Sequence, residues 1–437
     1  MRDFGRTRLT RAIWLRLTNP TIVSVVRAMV TKTAVDDSAR AGADGEGADS
    51  AAASVTRWRR RRRGRRRRVW LVVGSFLVAL FVPAWSFAHA VMVSNGDPVS
   101  ANATEWARGH SLGWLVDRVE HLWYSHHQPP NGGAPKGGIA RVAPSVTRPA
   151  AVHSPARPVA VGERRCPPTI PAFASSMLAG EGAWQTVGRS TGAVCFAYLR
   201  PDAVHTSVLV GVAWMDMRVL TATLHNGTSV PGGGAWRAGS LISPADYGRV
   251  VATFNGGFRL DASRGGYFTE GRTMRPLVNG GASLVIYADG HVDVGVWGRD
   301  DALTPNVASV RQNLDLLVDD RKLVAGLSDL NSHQWGATLG NRIYTWRSGV
   351  GIDAQHNLIY VGGPGLNVAT LAAVLQHAGC VRAMELDINP SWVSLMTYTG
   401  TSPTAVTATK LLSNMQRPAE RYLHSNTRDF IELDTRH

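Results

Sequence analysis

Cysteine is scarce in this sequence, and the patterns that build small metal sites are missing. Only three cysteines occur in 437 residues, and they form neither a C-x-x-C pair nor a His/Cys spacing suited to zinc. The disulfide-dense scaffolds and the structural zinc proteins are therefore excluded. Cys166 and Cys195 are candidates for a disulfide in an oxidising compartment, whereas Cys380, between apolar neighbours, is typical of a small buried residue.

Acidic residues are outnumbered, but only in one part of the chain. The sequence has 47 Lys+Arg against 32 Asp+Glu, a formal charge of +15. Residues 200–437 hold 20 of each sign, whereas residues 1–199 hold 27 basic and 12 acidic residues. Ten arginines fall between Arg57 and Arg68. Because the excess belongs to the N-terminal part, we expect no nucleic-acid partner for this protein; a nucleic-acid partner of the arginine run is the weaker alternative.

Charge is absent from the segment that follows the arginine run 57–68. Residues 69–88 contain no charged side chain, and about 20 residues at ~1.5 Å each span the ~30 Å apolar layer of a bilayer. Trp70 and Trp85 stand near its ends, where aromatic rings favour the headgroup region. Residues 69–89 are therefore predicted to form one transmembrane signal-anchor helix. The arginines would lie in the cytoplasm, with the C-terminal domain on the other side of the cell membrane.

A cleaved signal peptide is the alternative to this anchor. Ala88-His89-Ala90 follows the apolar segment and matches the small-residue pattern of a cleavage site after Ala90. However, about 68 residues precede the apolar segment, and the segment is longer than the apolar core of most signal peptides. These lengths favour the uncleaved anchor.

Composition divides the rest of the chain into three further parts. Residues 1–56, rich in Gly, Ala and Asp near their end, predict a disordered cytoplasmic tail. Residues 90–165 predict an amphipathic stem helix near 103–127, lying by the bilayer or against the main domain, and then a semi-extended Pro/Ala-rich stalk. Residues 166–437, with a core at about 200–415, predict one globular domain.

Short strand-like runs separated by Gly, Asn and Asp dominate this domain. They cover residues 208–215, 282–288, 291–297 and 357–363. Asp289-Gly290 joins two of these runs and is a strong hairpin signal. Helices are predicted at 367–378, ended by Gly379, and at 407–417. Strands in series with few helices predict an α+β domain built on a mixed or antiparallel sheet.

Two glycine-rich segments are candidates for ligand contacts. An apolar run ends in four residues that allow a close approach of the backbone to a ligand, Asn255, Gly256, Gly257 and Phe258. A tight turn is the alternative use of an Asn-Gly-Gly segment. In residues 265–271, aromatic residues and Glu270 stand between glycines, which is typical of either a sugar site or a loop.

Charged residues in two later segments are candidates for chemistry. Arg347, before a small-residue turn, can bind an anionic oxygen bidentately or form an ordinary ion pair. Glu385 and Asp387 alternate with apolar residues, so their side chains are predicted to point the same way with Cα atoms about 6–7 Å apart. This spacing suits a general acid and base at a glycosidic bond, or two ligands of a divalent cation. An exposed face of an edge strand is the alternative.

Taken in order, these segments resemble the phosphodiester glycosidase domain family. The pattern consists of N-G-G-F, R-x-x-x-G before a strand, a glycine turn into a helix, and an apolar stretch with an aspartate. It corresponds here to residues 255–258, 347–351, 363–366 and 383–387. The resemblance covers about residues 200–415. It implies a hydrolase that cleaves a sugar-1-phosphodiester, with a cell-envelope glycan as the expected substrate.

The resemblance also implies roles for individual residues. Arg347 would hold the phosphate, and Asn255 with the adjoining glycine amides would orient the substrate. Asp387 and Glu385 would supply acid/base chemistry or hold a divalent cation.

One departure from the family pattern affects the function. The family follows the aspartate with glycines and a serine, whereas this chain continues as Asp387-Ile388-Asn389-Pro390-Ser391. Asn389 and Ser391 are candidate substrate contacts, but a proline fixes φ and removes a backbone donor, so the loop differs from the family's. A non-catalytic envelope glycan-binding or scaffold module that retains the fold is therefore the alternative to a hydrolase.

Overall fold

The parts of the chain that the structure describes lie mainly in the predicted globular domain. This computed structural model describes residues 70–72, 74–75, 81–92, 98–139, 166–188, 192–329, 334–336, 343–400 and 406–436. The chain divides into two units, Met1–Pro83 and Ala84–His437, and in the first unit the described residues are helical. The predicted cytoplasmic tail, the arginine run, the stalk at 140–165 and part of the predicted transmembrane segment lie outside the described residues. Within the described ranges, none of the helices has the length and apolar character that crossing a bilayer requires.

Short antiparallel strands build the second unit. In chain order they are β1 Gln185–Val187, β2 Val194–Leu199, β3 Val210–Met215, β4 Leu220–His225, β5 Val250–Asn255, β6 Tyr267–Thr269, β7 Arg272–Arg275, β8 Ala282–Tyr287, β9 Val292–Val296, β10 Val307–Gln312, β11 Leu316–Asp319, β12 Lys322–Leu323, β13 Thr345–Ile352, β14 Leu358–Leu366, β15 Arg382–Glu385, β16 Leu395–Thr399, β17 Thr407–Lys410 and β18 Phe430–Thr435. The four strand-like runs of the sequence correspond to β3, β8, β9 and β14. Asp289-Gly290 forms the predicted hairpin between β8 and β9.

The strands form three sheets. One has eight strands in the order β1-β2-β3-β14-β13-β15-β11-β12, and two have five, in the orders β7-β6-β10-β8-β9 and β17-β16-β5-β18-β4. Paired strands within these sheets run antiparallel. The predicted α+β class is confirmed for the described domain. The sheets extend beyond the predicted core at 200–415, since β2 and β18 lie outside it.

The eight-stranded sheet is buried on both faces. Along β2, Phe196 and Tyr198 face a core shared with the two five-stranded sheets, whereas Cys195 and Leu199 face a second core on the other side. A strand buried on both faces needs apolar residues at successive positions, which explains the continuous apolar run of β2. Cys195 also forms a disulfide with Cys166, with their Cα atoms 5.9 Å apart.

Helix α3, Val368–His377, covers the second face of this sheet. Its first turn is held by a reciprocal pair of hydrogen bonds, because Asn367 accepts from the Thr370 amide and the Thr370 hydroxyl accepts from the Asn367 amide. Gly379 follows with φ +104°, a conformation that favours glycine. The predicted helix at 367–378 is confirmed.

The second predicted helix, at 407–417, is wrong. Residues 407–410 form strand β17, which pairs with β16, and residues 411–418 are turns and irregular backbone. Thr407 and Thr409 are β-branched, and the pairing with β16 outweighs the local preference for a helix.

Two helices, α1 Val99–Gly109 and α2 Gly113–His126, form where one stem helix was predicted. The chain breaks at Ser111, which has φ 64°. Arg108 at the end of α1 binds both Asp117 and Glu120 of α2, at 2.8 and 3.0 Å. These ion pairs hold the two helices together as one unit.

Two neighbouring acids on β18 predict a measurable pH dependence of stability. Burial, and then the neighbouring Glu432, raise the pKa of Asp434 to about 8. Because the folded state binds this proton more tightly than the unfolded state does, stability contributed by protonated Asp434 is lost as the pH rises from about 4 to 8. We expect Asp434→Asn to stabilise the protein at pH 8.5 by roughly 1–3 kcal/mol and to change little at pH 4.

Urea unfolding at the two pH values measures this effect. Asp320→Asn, which removes a carboxylate that is 87% exposed, is the control and should change stability little at either pH. Equal effects of the two variants at pH 8.5 would contradict the assignment to Asp434.

Candidate functional site

Asp387 lies two residues beyond the end of β15, where the backbone is fixed by Ser348 of the neighbouring strand β13. The Ser348 amide donates to the Asp387 carbonyl and the Leu386 amide donates to the Ser348 carbonyl, both at 2.8 Å. The Asp387 side chain is only 4% exposed. Its Oδ1 accepts from the Asn389 amide at 2.9 Å, and its Oδ2 accepts from Arg428 Nη2 at 3.1 Å. The position of this carboxylate is therefore fixed on both oxygens.

A small cavity lies beside this carboxylate and is referred to here as the Asp387 cavity. Its volume is about 70 Å³. The domain contributes Phe258, Arg259, Asn389, Trp392 and Arg428 to its wall. Helices α1 and α2 contribute Glu105, Arg108, Glu120 and Tyr124, so they cover the cavity from the outside.

The burial of Asp387 changes its protonation. Burial raises the pKa of Asp387, while the neighbouring Arg428 acts in the opposite direction. A carboxyl group with a raised pKa can hold or release a proton closer to neutral pH than an exposed aspartate can. Asp387 is therefore suited to proton transfer at the wall of this cavity.

Glu385 and Arg347 lie inside the sheet and do not line the Asp387 cavity. Both side chains are fully buried, and Arg347 Nη1 is 2.6 Å from Glu385 Oε1. The guanidinium also donates to the carbonyls of Leu366 and Ile343, at 3.1 and 3.3 Å. Burial raises the pKa of Glu385 to about 7, against the effect of Arg347. Arg347 and Glu385 thus pair with each other in the interior of the sheet.

The two carboxylates have different surroundings: Asp387 lines the Asp387 cavity, and Glu385 pairs with Arg347 inside the sheet. Strand β15 ends at Glu385, and after burial the negative charge of Asp387 also contributes to the raised pKa of Glu385. Among the described residues, no group of three or more His, Cys, Asp and Glu side chains is arranged to hold a metal ion.

Asn255, at the end of β5, joins three elements of the fold. Its Nδ2 donates to the Gly256 carbonyl and to Ser348 Oγ, at 2.8 and 3.1 Å. Its Oδ1 accepts from the Tyr360 hydroxyl and the Ser394 amide, at 2.9 and 3.1 Å. Four hydrogen bonds satisfy this side-chain amide. Asn255 therefore holds the backbone near Asp387 in place.

The glycines after Asn255 make room for other protein groups. A Cβ on Gly256 would lie 2.3 Å from Asp429 Oδ2, and one on Gly257 would lie 2.9 Å from Asn313. The Gly257 carbonyl accepts from Arg428 Nη2 at 2.9 Å. A larger side chain at either glycine would displace Asp429 or Asn313 near the Asp387 cavity.

The remaining predicted contacts divide between two places. Asn389 lines the Asp387 cavity and donates to Glu120 at 3.3 Å. Ser391 is buried nearby and donates to Gln416 at 3.0 Å. Glu270 lines a different cleft of about 1100 Å³ and accepts from the amides of Arg237 and Ala238. The structure therefore does not bring Glu270 together with Asp387.

The sequence did not point to Arg428, Arg259 or Glu105, although all three border the Asp387 cavity. Arg428 precedes β18, Arg259 follows the Asn-Gly-Gly-Phe segment, and Glu105 belongs to α1. Only Arg259 had a local signal in the sequence, because it is a basic residue directly after a segment that was already a candidate for ligand contacts.

Part of this chain matches a known protein family. Residues 248–387 match the family model described as phosphodiester glycosidase. Among curated proteins, no similar sequence was found. The matched segment begins just before β5 and ends at Asp387.

The solved structures that match this protein have low sequence identity to it. The catalytic domain of zebrafish N-acetylglucosamine-1-phosphodiester alpha-N-acetylglucosaminidase, auto-inhibited by its pro-peptide, is 16% identical, with a TM-score of 0.39 over 58% of this chain and 88% of that one. A hypothetical protein of Synechocystis is 12% identical, with a TM-score of 0.29 over 58% of this chain and 62% of that one. A protein of Burkholderia pseudomallei is 12% identical, with a TM-score of 0.29 over 52% and 74%. The family resemblance that the order of the motifs predicts is confirmed for residues 248–387 by the match to the phosphodiester glycosidase family model.

Proposed function

We propose that the protein is a membrane-anchored extracytoplasmic hydrolase that cleaves the bond between a sugar and a phosphodiester in cell-envelope glycans. The observation that carries this proposal is the contact between Asp387 and Arg428, 3.1 Å apart at the wall of the Asp387 cavity. A carboxyl group of raised pKa and a buried guanidinium are the two groups that such a reaction requires. The family match, which ends at Asp387, supports the same class of reaction.

The proposed reaction is a hydrolysis at the anomeric carbon. Water attacks this carbon, the bond from the carbon to the phosphate oxygen breaks, and the products are the free sugar and a phosphate monoester. The leaving phosphate keeps the electron pair of the broken bond, so a neighbouring guanidinium stabilises it. Asp387 accepts the proton of the attacking water or donates a proton to the leaving oxygen.

The site of bond cleavage tests this function. The purified full-length protein is incubated with a nitrophenyl sugar-1-phosphodiester in ¹⁸O-labelled water, with and without a chelator. We expect the label in the sugar and none in the nitrophenyl phosphate, which is isolated and analysed first and only then quantified with a phosphatase in unlabelled water. Label in the phosphate would identify a phosphodiesterase instead. Loss of activity on chelation would indicate a divalent cation.

The membrane anchor and the orientation of the chain are a separate part of the proposal. They rest on the apolar segment at 69–89 behind the arginine run at 57–68. A tag at the N-terminus should be protected from protease in intact cells, and a tag at the C-terminus should be cleaved. A mature chain that begins after Ala90 would replace the anchor with a cleaved signal peptide.

A non-catalytic envelope glycan-binding module is the second candidate. Pro390, in the loop after Asp387, favours it, because a proline fixes φ and removes a backbone donor there. Binding of envelope glycan without release of sugar by the full-length protein would select this function over hydrolysis.

A further inference from the structure

Two arginines from distant parts of the chain meet at the carboxylate of Glu105 on α1. Arg259 Nη1 lies 2.7 Å from Glu105 Oε2, and Arg428 Nη1 lies 3.6 Å from Glu105 Oε1. Each carboxylate oxygen therefore faces one guanidinium. Two guanidinium groups placed in this way can bind the oxygens of a phosphate in the same manner.

Arg428 has binding capacity that its protein neighbours do not use. Its side chain is only 6% exposed, and its Nε has no hydrogen-bond partner within the described structure. A buried donor without a partner is unfavourable unless a ligand or water satisfies it. Since Arg428 lines the Asp387 cavity, a ligand in that cavity could meet this requirement.

Three arginines gather around Trp392, a residue that lines the cavity. The guanidinium carbons of Arg417, Arg421 and Arg428 lie 4.2, 5.1 and 5.0 Å from the ring centre of Trp392. Burial, and then the positive charges of Arg421 and Arg428, lower the pKa of Arg417 to about 8. Placing like charges together in the interior is unfavourable, and a bound anion reduces this repulsion.

We propose that Arg259 and Arg428 bind the phosphate group of the substrate at the position that the Glu105 carboxylate takes in this structure. The nature of the ligand rests on the proposed function. Asp387 contacts the same guanidinium of Arg428, so the bound phosphate lies beside the carboxyl group that transfers the proton. The phosphate contact is thus assigned to cavity residues and not to Arg347, which is buried with Glu385.

This assignment makes Glu105 a competitor of the substrate. A cavity of about 70 Å³ holds roughly two water molecules at ~30 Å³ each. A sugar therefore enters only after α1 has moved, and the Glu105 carboxylate leaves the two arginines when it does. Removing the charge of Glu105 favours the phosphate.

Phosphate binding to the full-length protein tests the inference. Inorganic phosphate and dimethyl phosphate are titrated by calorimetry and by ³¹P NMR against the parent and single variants. We expect Arg428→Gln and Arg259→Gln each to raise the Kd for phosphate at least tenfold, and Glu105→Gln to lower it several-fold. Arg299→Gln is the matched control, because Arg299 pairs with Asp319 at 2.6 Å on an exposed surface and should leave the Kd unchanged.

Each outcome decides the inference separately from the proposed function. If Arg428→Gln does not fold, the variants Arg259→Gln and Glu105→Gln, which change partly exposed residues, still test the two opposite shifts in the Kd for phosphate. An unchanged Kd in both Arg259→Gln and Glu105→Gln, or no binding by either the parent or Glu105→Gln, overturns the inference. The expected shifts without any turnover support the phosphate site and count against hydrolysis. Turnover with phosphate binding that is independent of Arg259 and Arg428 overturns the phosphate site alone.

Discussion

Asp387→Asn is expected to lower kcat for hydrolysis of a sugar phosphodiester by about 10²–10⁴-fold, the range for loss of a group that transfers a proton. Asparagine has nearly the same size and can still accept the hydrogen bond from the Asn389 amide. It neither accepts nor donates the proton that the reaction moves. The initial rate of nitrophenyl phosphate release from the phosphodiester, measured with the coupled phosphatase, gives this loss.

Asp293→Asn provides the matched control for this prediction. Asp293 is also held by an arginine, Arg382, at 2.6 and 2.8 Å, but it does not line the Asp387 cavity. This variant should keep its kcat within a few-fold of the parent. If Asp387 acts as the acid, the parental rate falls as the pH rises through its raised pKa, and Asp387→Asn lacks this fall. Equal rates in the two variants would remove Asp387 from the mechanism.

Arg347→Met is expected to destabilise the fold by about 3–5 kcal/mol, because it leaves the buried carboxyl of Glu385 without its partner. Burial already raises the pKa of Glu385 to about 7, above its ordinary value of about 4.5. Loss of Arg347 raises the pKa of Glu385 further, so the folded state binds the proton more tightly than the unfolded state over a wider pH range. The destabilisation relative to the parent should therefore be larger at pH 8.5 than at pH 6, because it grows only above about pH 7, where the parental carboxyl loses its proton. Urea unfolding at both pH values measures it.

Two further variants distinguish the buried pair from arginine loss in general. The double variant Arg347→Met/Glu385→Leu removes both charges and should recover most of the lost stability. Arg299→Met breaks an ion pair whose arginine is half exposed and should cost less than about 1 kcal/mol. If Arg347→Met lowers the free energy of unfolding no more than Arg299→Met does, the Arg347–Glu385 pair contributes little to the stability of the fold.

Local features of the sequence were sufficient for several elements. Asp289-Gly290 indicated the hairpin because this pair accepts the positive φ that a tight turn requires, and Gly290 has φ +80°. Asn367 and Gly379 marked both ends of α3 for similarly local reasons. Each of these predictions depends on residues close together in the sequence, where turn and cap chemistry is specific.

The Asp387 cavity depends on contacts that local patterns do not record. Arg428 is 41 residues from Asp387, and Arg259 is 154 residues from Glu105. Only the packing of sheets and helices brings these charges together. The failure of the predicted helix at 407–417 has the same origin, because β17 forms through its pairing with β16. Likewise, the alternation of Glu385 and Asp387 gave no indication that only Asp387 lines the cavity.

The place of β18 within its sheet has a consequence for the time at which the domain can fold. Of the described strands it comes latest in sequence, yet it lies between β5 and β4 in the interior of the sheet. Until the ribosome has made residues 430–435, β4 and β5 have open edges where β18 belongs, and unpaired edges invite aggregation. Arg428 is synthesised just before these residues. A chain released from the ribosome before this point would lack both the strand that closes the sheet and an arginine of the cavity, so truncated products should be degraded rather than accumulate as partly active protein.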